Sequence, residues 1–345
     1  LADRERATPV VWRLLAKECP ELVPSDVAES FRRQAMVSEF TGLLLEDRAR
    51  ELLNALEAAR IDVILLKGAA LAHTVYRGFV DRPMIDLDLL VASEHARQAW
   101  RIAQSLGWQW HDTVFPAARY EHHHHLPPLV DARSGRFAVE IHIAGNVPGH
   151  PFSLAFPTAF PETQPVPGRK RVYALAPEHQ VVHLAIHCAW AHLLTSSAWR
   201  TFRDLHALTA GREVDWDRVV ELARRYHGAS SAYWTLWLAA ELTDLVVPAA
   251  TVEALSRGIP RFMRRAIARH LVGQMFPSPE PCPSESLKRA IWTYAIQPRT
   301  QGVGSARPWD ADDMALPAAD ADSSRRRLWN PRAWWRYLRV VALPG

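Results

Sequence analysis

Apolar residues recur at near-helical spacing between residues 25 and 60, with Phe31, Met36, Phe40, Leu44, Leu52, Leu53 and Leu56 on one stripe. Ser25 and Asp26 stand where an N-cap belongs, so residues 9–60 are expected to be helical. The short apolar run at residues 61–66 then reads as a buried strand. It leads into Lys67-Gly68-Ala69-Ala70-Leu71-Ala72, the composition of a tight turn opening a helix. Asp81-Arg82-Pro83 interrupts the pattern, and residues 85–91 alternate as a strand does. A helix is predicted over residues 94–106, and a histidine- and proline-rich loop with pieces of strand over 111–134. Residues 137–143 alternate again, with Phe137, Val139, Ile141 and Ile143 on one face and Ala138, Glu140 and His142 on the other.

These patterns divide the chain into five stretches. Residues 1–60 form an N-terminal helical segment, 61–150 a core and 151–176 a proline-rich connector. Residues 177–275 read as a helical domain, and 276–345 as an irregular tail closing on a Trp/Arg helix at 331–341. The fold class expected is α+β: a small mixed sheet framed by N-terminal helices and a C-terminal helical domain. No internal repeat is visible.

Composition adds little and excludes more. With 48% hydrophobic and 23% charged residues the 345-residue chain is ordinary for a soluble globular protein. No apolar run reaches membrane-spanning length, and the first residues lack the apolar core of a signal peptide, so a cytoplasmic protein is expected. Cys19, Cys188 and Cys282 are far apart and match neither a zinc nor a disulfide spacing. The net charge of +4 tolerates an anionic substrate such as a nucleotide but argues against nucleic acid as the partner.

The chemistry concentrates between residues 67 and 91. Asp86 and Asp88 leave the same face of a strand, with carboxylates within about 7 Å. Two like charges that close are costly unless a cation lies between them, and Mg²⁺ suits one or two carboxylates plus phosphate oxygens. Glu140 adds a third carboxylate on a second alternating strand, able to complete a two-metal clamp if the strands are neighbours. A glycine at the strand-to-helix turn, Gly68, lets backbone N–H groups approach a triphosphate, and Lys67 and Arg82 flank that turn.

Leu66-Lys67-Gly68-Ala69-Ala70-Leu71, Tyr76 and the run from Arg82-Pro83-Met84-Ile85-Asp86-Leu87-Asp88 to Val91 together resemble the uncharacterised nucleotidyltransferase family of the DNA polymerase β-like superfamily. Glu140-Ile141-His142 is similar to that family's third acidic strand, and Pro177-Glu178-His179 to His187, Arg203-Asp204-Leu205 and Asp215-Trp216 to its helical half. The resemblance implies a nucleotidyltransferase core in which Asp86, Asp88 and Glu140 hold Mg²⁺ or Mn²⁺ and act in catalysis. It also implies that Lys67, Gly68, Ala69 and Arg82 hold the NTP phosphates, and that a nucleoside monophosphate passes to an acceptor with release of pyrophosphate. Ala69 stands where the superfamily usually has Gly or Ser, and the gap from Gly68 to Asp86 is longer than its usual spacing. The acceptor (small molecule, peptide or protein), the choice of NTP and the oligomeric state are not legible. Two alternatives stand beside this reading: a non-catalytic nucleotide-binding protein on the same fold, and a transferase acting on tRNA ends.

The histidines receive blander expectations. The run His122 to His125 is expected to be a loop, with adventitious metal uptake as one reading and, because it precedes the Glu140 strand, a substrate-side role as another. His142 shares Glu140's face and is expected to support the site rather than react. His179, His183 and His187 lie four apart on one helical face and are expected to pack or hydrogen-bond. Arg200, Arg203 and Asp204 face the nucleotide or acceptor, with an Arg200–Asp204 ion pair as the structural alternative.

Overall fold

The computed structural model of the protein describes residues 2, 5–120, 123–145, 154–192, 194 and 198–275. The tail from 276, its Trp/Arg segment, Cys282 and His122 lie outside the described residues. Helix α1 (Thr8–Glu18) packs on the long α2 (Ser25–Ala58), and seven strands follow: β1 (Val63–Leu65), β2 (Asp86–Leu90), β3 (Trp108–Trp110), β4 (Leu129–Asp131), β5 (Ala138–His142), β6 (Thr163–Pro165) and β7 (Val172–Leu175). They form one mixed sheet in the order β3-β4-β5-β2-β1-β7-β6. Between them run α3 (Lys67–Thr74), α4 (Ser93–Ser105) and the single turn α5 (Phe156–Ala159). Six further helices close the described chain: α6 (Pro177–Trp190), α7 (Ala198–Thr209), α8 (Trp216–Arg225), α9 (Ala229–Leu242), α10 (Ala249–Ser256) and α11 (Arg261–Met275). The α+β class expected from the sequence is observed. Among the described residues no helix is long and apolar enough to cross a membrane.

Two apolar cores sit on opposite faces of the sheet, and the strand alternation assigns residues to each. Val63, Leu65, Leu87, Leu89, Val139, Ile141, Val172 and Ala174 face α2, α3 and α4. Ile64, Leu66, Leu90 and Leu175 face the helical half, where α6 is buried along most of its length. Pro177 opens α6, a position where the missing N–H costs nothing, and Asp215 caps α8 by accepting from the Arg218 N–H at 2.9 Å.

Two local expectations are corrected. The stripe on α2 is out of phase over its first half: Met36, Phe40 and Leu44 are 62%, 64% and 42% exposed. Ala35, Gly42, Leu45, Arg48 and Ala49 are buried in their place, joined further along by Leu52, Leu53 and Leu56. Gly42 sets the phase, because a Cβ there would lie 2.9 Å from the Phe79 carbonyl oxygen, so the chain at Phe79 and Val80 lies directly against the helix. The N-cap is Pro24 rather than Ser25 or Asp26, and no side chain caps the helix. The proline-rich stretch also carries strands: β7 pairs in parallel with β1, and β6 runs antiparallel to β7 at the sheet edge, where Pro165 is tolerated.

Candidate metal and nucleotide site

The site begins with a strand register. β2 and β5 run parallel, with Asp88 opposite Glu140 and Leu90 opposite His142. Leu87, Leu89, Val139 and Ile141 enter the core on one face, so Asp86, Asp88, Glu140 and His142 share the other. Asp88 and His142 are buried and Glu140 is half-buried, while Asp86 opens to solvent one step along the strand. The His142 Nε2 lies 3.0 Å from Asp88 Oδ1 and 3.3 Å from Glu140 Oε2. The Lys67 ammonium donates to Asp88 Oδ1 at 2.7 Å. The set that converges tightly is therefore Asp88, Glu140 and His142, whose ligand atoms all lie within 4.8 Å of one another. His142 makes direct contact with both acids, a closer part than sequence reasoning assigned to it. The two-residue offset from Glu140 was the signal.

Charge in this cluster is unbalanced. Burial opposes ionisation of Asp88, but the Lys67 charge and the His142 hydrogen bond outweigh it and hold the carboxyl well below its usual range. Glu140 behaves alike: burial works against its charge, and the His142 hydrogen bond leads the effects that lower its pKa overall. Asp86 shifts the other way, raised by the protein packed around it and by the charge of Asp88. Burial disfavours charge on Lys67 and His142, yet attraction to the acids raises both, led by Asp88 in each case. The two buried acids, Asp88 and Glu140, meet one ammonium and the His142 imidazole directly, while Asp86 at the rim also feels the charge of Arg6. A divalent cation fits this set, since two carboxylate oxygens and an imidazole nitrogen already converge and a lysine ammonium is drawn onto one of them.

The turn beside the acids is tightly built. Lys67 adopts φ +47°, a left-handed backbone that a non-glycine residue takes only under constraint. Leu66 donates its N–H to the Asp88 carbonyl at 3.0 Å, which fixes the turn to β2. Gly68 and Ala69 supply N–H groups of the first turn of α3, which no intrahelical carbonyl reaches. A Cβ on Gly68 would sit 3.2 Å from Met84 Sδ and 3.6 Å from Arg82 Cζ, so the glycine admits the 82–84 segment beneath the turn. The Ala69 methyl is buried in the core under the sheet.

Arg82 stands apart from its sequence expectation. It is 6% exposed, and Asp204 on α7 accepts from its Nε at 2.7 Å and its Nη2 at 2.7 Å. The Tyr76 hydroxyl donates to the same Asp204 at 2.8 Å, and the Arg203 guanidinium lies over the Tyr76 ring. The planar guanidinium fork matches a carboxylate, so Arg82 and Asp204 fasten the helical half to the core. Arg200 sits among Arg82, Arg6, Asp204 and Asp86; burial and the neighbouring cations lower its pKa.

The histidines divide into groups. His123, His124 and His125 bring ligand atoms within 4.8 Å of one another. His125 is bridged through its backbone to His142, and burial pushes its ring down to about 4. On α6, His179 pairs with the Tyr226 hydroxyl at 2.7 Å inside the helical half. His183 and His187 stack at 6.2 Å between centroids; burial and the Lys67 charge lower both, His183 to about 3. The single face expected for these three residues thus spans two environments.

A mixed sheet bearing an acid pair on one strand, a third carboxylate on the next and a lysine-glycine turn at its edge has the form of a nucleotidyltransferase-type α+β fold. Residues 1–244 match the family model described as uncharacterised nucleotidyltransferase, and the chain belongs to that family. Membership supports nucleotidyl transfer as the general activity. No curated protein and no solved structure matches the chain.

Proposed function

We propose that the protein transfers a nucleoside monophosphate from an NTP to an acceptor with release of pyrophosphate. The observation that carries this reading is the Asp88–Glu140 rung, beside the Lys67-Gly68 turn, in a chain of this family. Asp88 and Glu140, kept ionised by Lys67 and His142, would hold Mg²⁺ or Mn²⁺, and Asp86 at the open rim would share it. Such a cation, when bound, neutralises phosphate charge and stabilises the attacking and leaving oxygens of an in-line displacement. The first-turn amides of Gly68 and Ala69 receive the β- and γ-phosphates at the positive end of α3. Lys67, at the mouth of that turn, keeps Asp88 ionised and stands beside the same phosphates. An acceptor oxygen then bonds to the α-phosphorus as the bond to the bridging oxygen breaks. Pyrophosphate leaves with that electron pair, and the acceptor proton passes to water. Arg82, engaged by Asp204, acts through the fold rather than on phosphate.

The test is calorimetric binding of the four NTPs with Mg²⁺ or Mn²⁺, and pyrophosphate release, in wild type and Asp86→Ala/Asp88→Ala. Metal-dependent NTP binding that the double variant abolishes is the expected result. Equal binding and turnover by the two proteins would remove the carboxylates from the reaction. Tight binding without pyrophosphate release against every acceptor class tried would make this a nucleotide-binding protein.

A further inference from the structure

The proposed reaction uses the carboxylates and leaves His125 without a part, although the fold positions it closely. His125 makes an antiparallel bridge with His142. On either side, the Leu126 N–H donates to the Ile141 carbonyl at 3.0 Å and the Ile143 N–H to the His124 carbonyl at 2.8 Å. The loop is therefore stitched to the end of β5, and His125 is held at a fixed offset from Glu140. The ring is fixed as well: its Nδ1 lies 2.7 Å from the Leu126 carbonyl oxygen. A carbonyl only accepts, so Nδ1 carries the hydrogen and Nε2 offers a lone pair.

That Nε2 lies 3.8 Å from Glu140 Oε2. The separation is too long for a hydrogen bond, and it sets a lone pair against a carboxylate oxygen, two acceptors facing each other. A common cation resolves the mismatch. Bonds of about 2.0–2.2 Å to each atom allow ligand separations up to roughly 4.2 Å, which admits an ion between them. His142 Nε2, 3.3 Å from the same Glu140 oxygen, satisfies the same limit, and the ion would take the place of the hydrogen that Nε2 now shares with Asp88 at 3.0 Å. A ring whose second nitrogen is tied to a backbone carbonyl is also the arrangement that orients metal-bound histidines.

We propose that His125 is a metal ligand together with Glu140 and His142, and that these two imidazoles make the centre select a first-row transition ion over Mg²⁺. Carboxylate oxygens alone suit Mg²⁺, whereas imidazole nitrogens favour later first-row ions such as Fe²⁺, Ni²⁺ and Zn²⁺, with Co²⁺ between the first two in the affinity order. The inference rests on the proposed function only in placing a cation at the carboxylates, and its test uses the ion alone, without nucleotide.

The full chain, stripped of metal, is titrated with Zn²⁺, Co²⁺ and Mg²⁺ by calorimetry, in wild type, His125→Gln and His124→Gln. Zn²⁺ and Co²⁺ bind wild type far more tightly than Mg²⁺, and His125→Gln weakens them at least about tenfold to hundredfold, the loss typical even of a residue that only supports a ligand. Spin-echo spectroscopy of Mn²⁺-loaded wild type needs no variant and shows coupling to two imidazole nitrogens. His125→Gln, with an unchanged far-ultraviolet circular dichroism spectrum, keeps one. No preference over Mg²⁺, or no nitrogen coupling in wild type, overturns the proposal. So does loss of the ion in His124→Gln with retention in His125→Gln, which would leave it to the loop histidines. NTP binding in the carboxylate double variant is read separately, so the two proposals fail independently.

Discussion

Two buried ion pairs in this molecule look alike in distance and differ in everything around them. Arg48 reaches Asp131 at 2.9 Å and Lys67 reaches Asp88 at 2.7 Å, each between an element on one side of the sheet and a strand. Around the first, every charge is answered. Arg48 also contacts Glu51, donates to the Leu106 carbonyl at 2.8 Å and lies over the Trp108 ring. Asp131 accepts from the Ser134 N–H and hydroxyl at 3.0 and 2.8 Å, and Glu51 pairs with Arg133. Around the second, Asp86 and Glu140 add two carboxylates. Among the described residues His142 hydrogen-bonds Glu140, while Asp86 meets the charges of Lys67 and Arg6 without forming an ion pair. A balanced buried pair is a rivet between elements; an unbalanced one is a place where a ligand is expected. The difference lies in the neighbours and cannot be read from the pair itself.

Breaking the rivet should have the largest effect on stability. Asp131→Ala leaves the buried Arg48 cation without its main partner, and a loss of about 3–5 kcal/mol is expected in urea unfolding. A loss near zero would show that Arg48 re-pairs with Glu51 and that the clamp is redundant. Asp204→Asn comes next: it keeps the shape of the Arg82 and Tyr76 contacts but removes the charge, with an expected cost of about 1.5–3 kcal/mol by the same measurement. The smallest effect has the opposite sign. Asp86→Asn removes a charge that Asp88 and Glu140 repel, so Tm should rise slightly while metal-dependent NTP binding falls. A lower Tm would mean that Asp86 is held by attraction, and the contrast with Arg48–Asp131 would lose its basis.

How much of this was legible in the chain follows from how local each feature is. β1, β2, β5 and α4 were visible because period-two and helical alternation write themselves into a few residues. The Asp86, Asp88 and Glu140 face followed from the same alternation, and the neighbouring of β2 and β5 turned it into a rung. β6 and β7 were not visible, because strands of three and four residues between prolines carry too short a pattern. The stripe on α2 was misphased because Phe40 and Leu44 are apolar yet face outward, while Gly42 and Arg48 do the packing. The Arg82–Asp204 pair spans 122 positions with no local signal, so Arg82 read as a phosphate ligand. The run His122 to His125 was visible as a loop beside the Glu140 strand, but nothing local separates His125 from its neighbours, because its bridge to His142 is made only by the fold.

The acidic strand lies well inside the sheet, with β1 hydrogen-bonded on one side and β5 on the other. Further bonds join Leu66 to the Asp88 carbonyl, Val91 to the His142 carbonyl and Ala138 to the Ile85 carbonyl. Such a strand belongs to the last part of a domain to open. Helices and loops around it can fray and reclose while the carboxylates keep their spacing. The site therefore has no partly melted form of its own: heat would erase it only together with the sheet, and while the sheet stands its floor is whole.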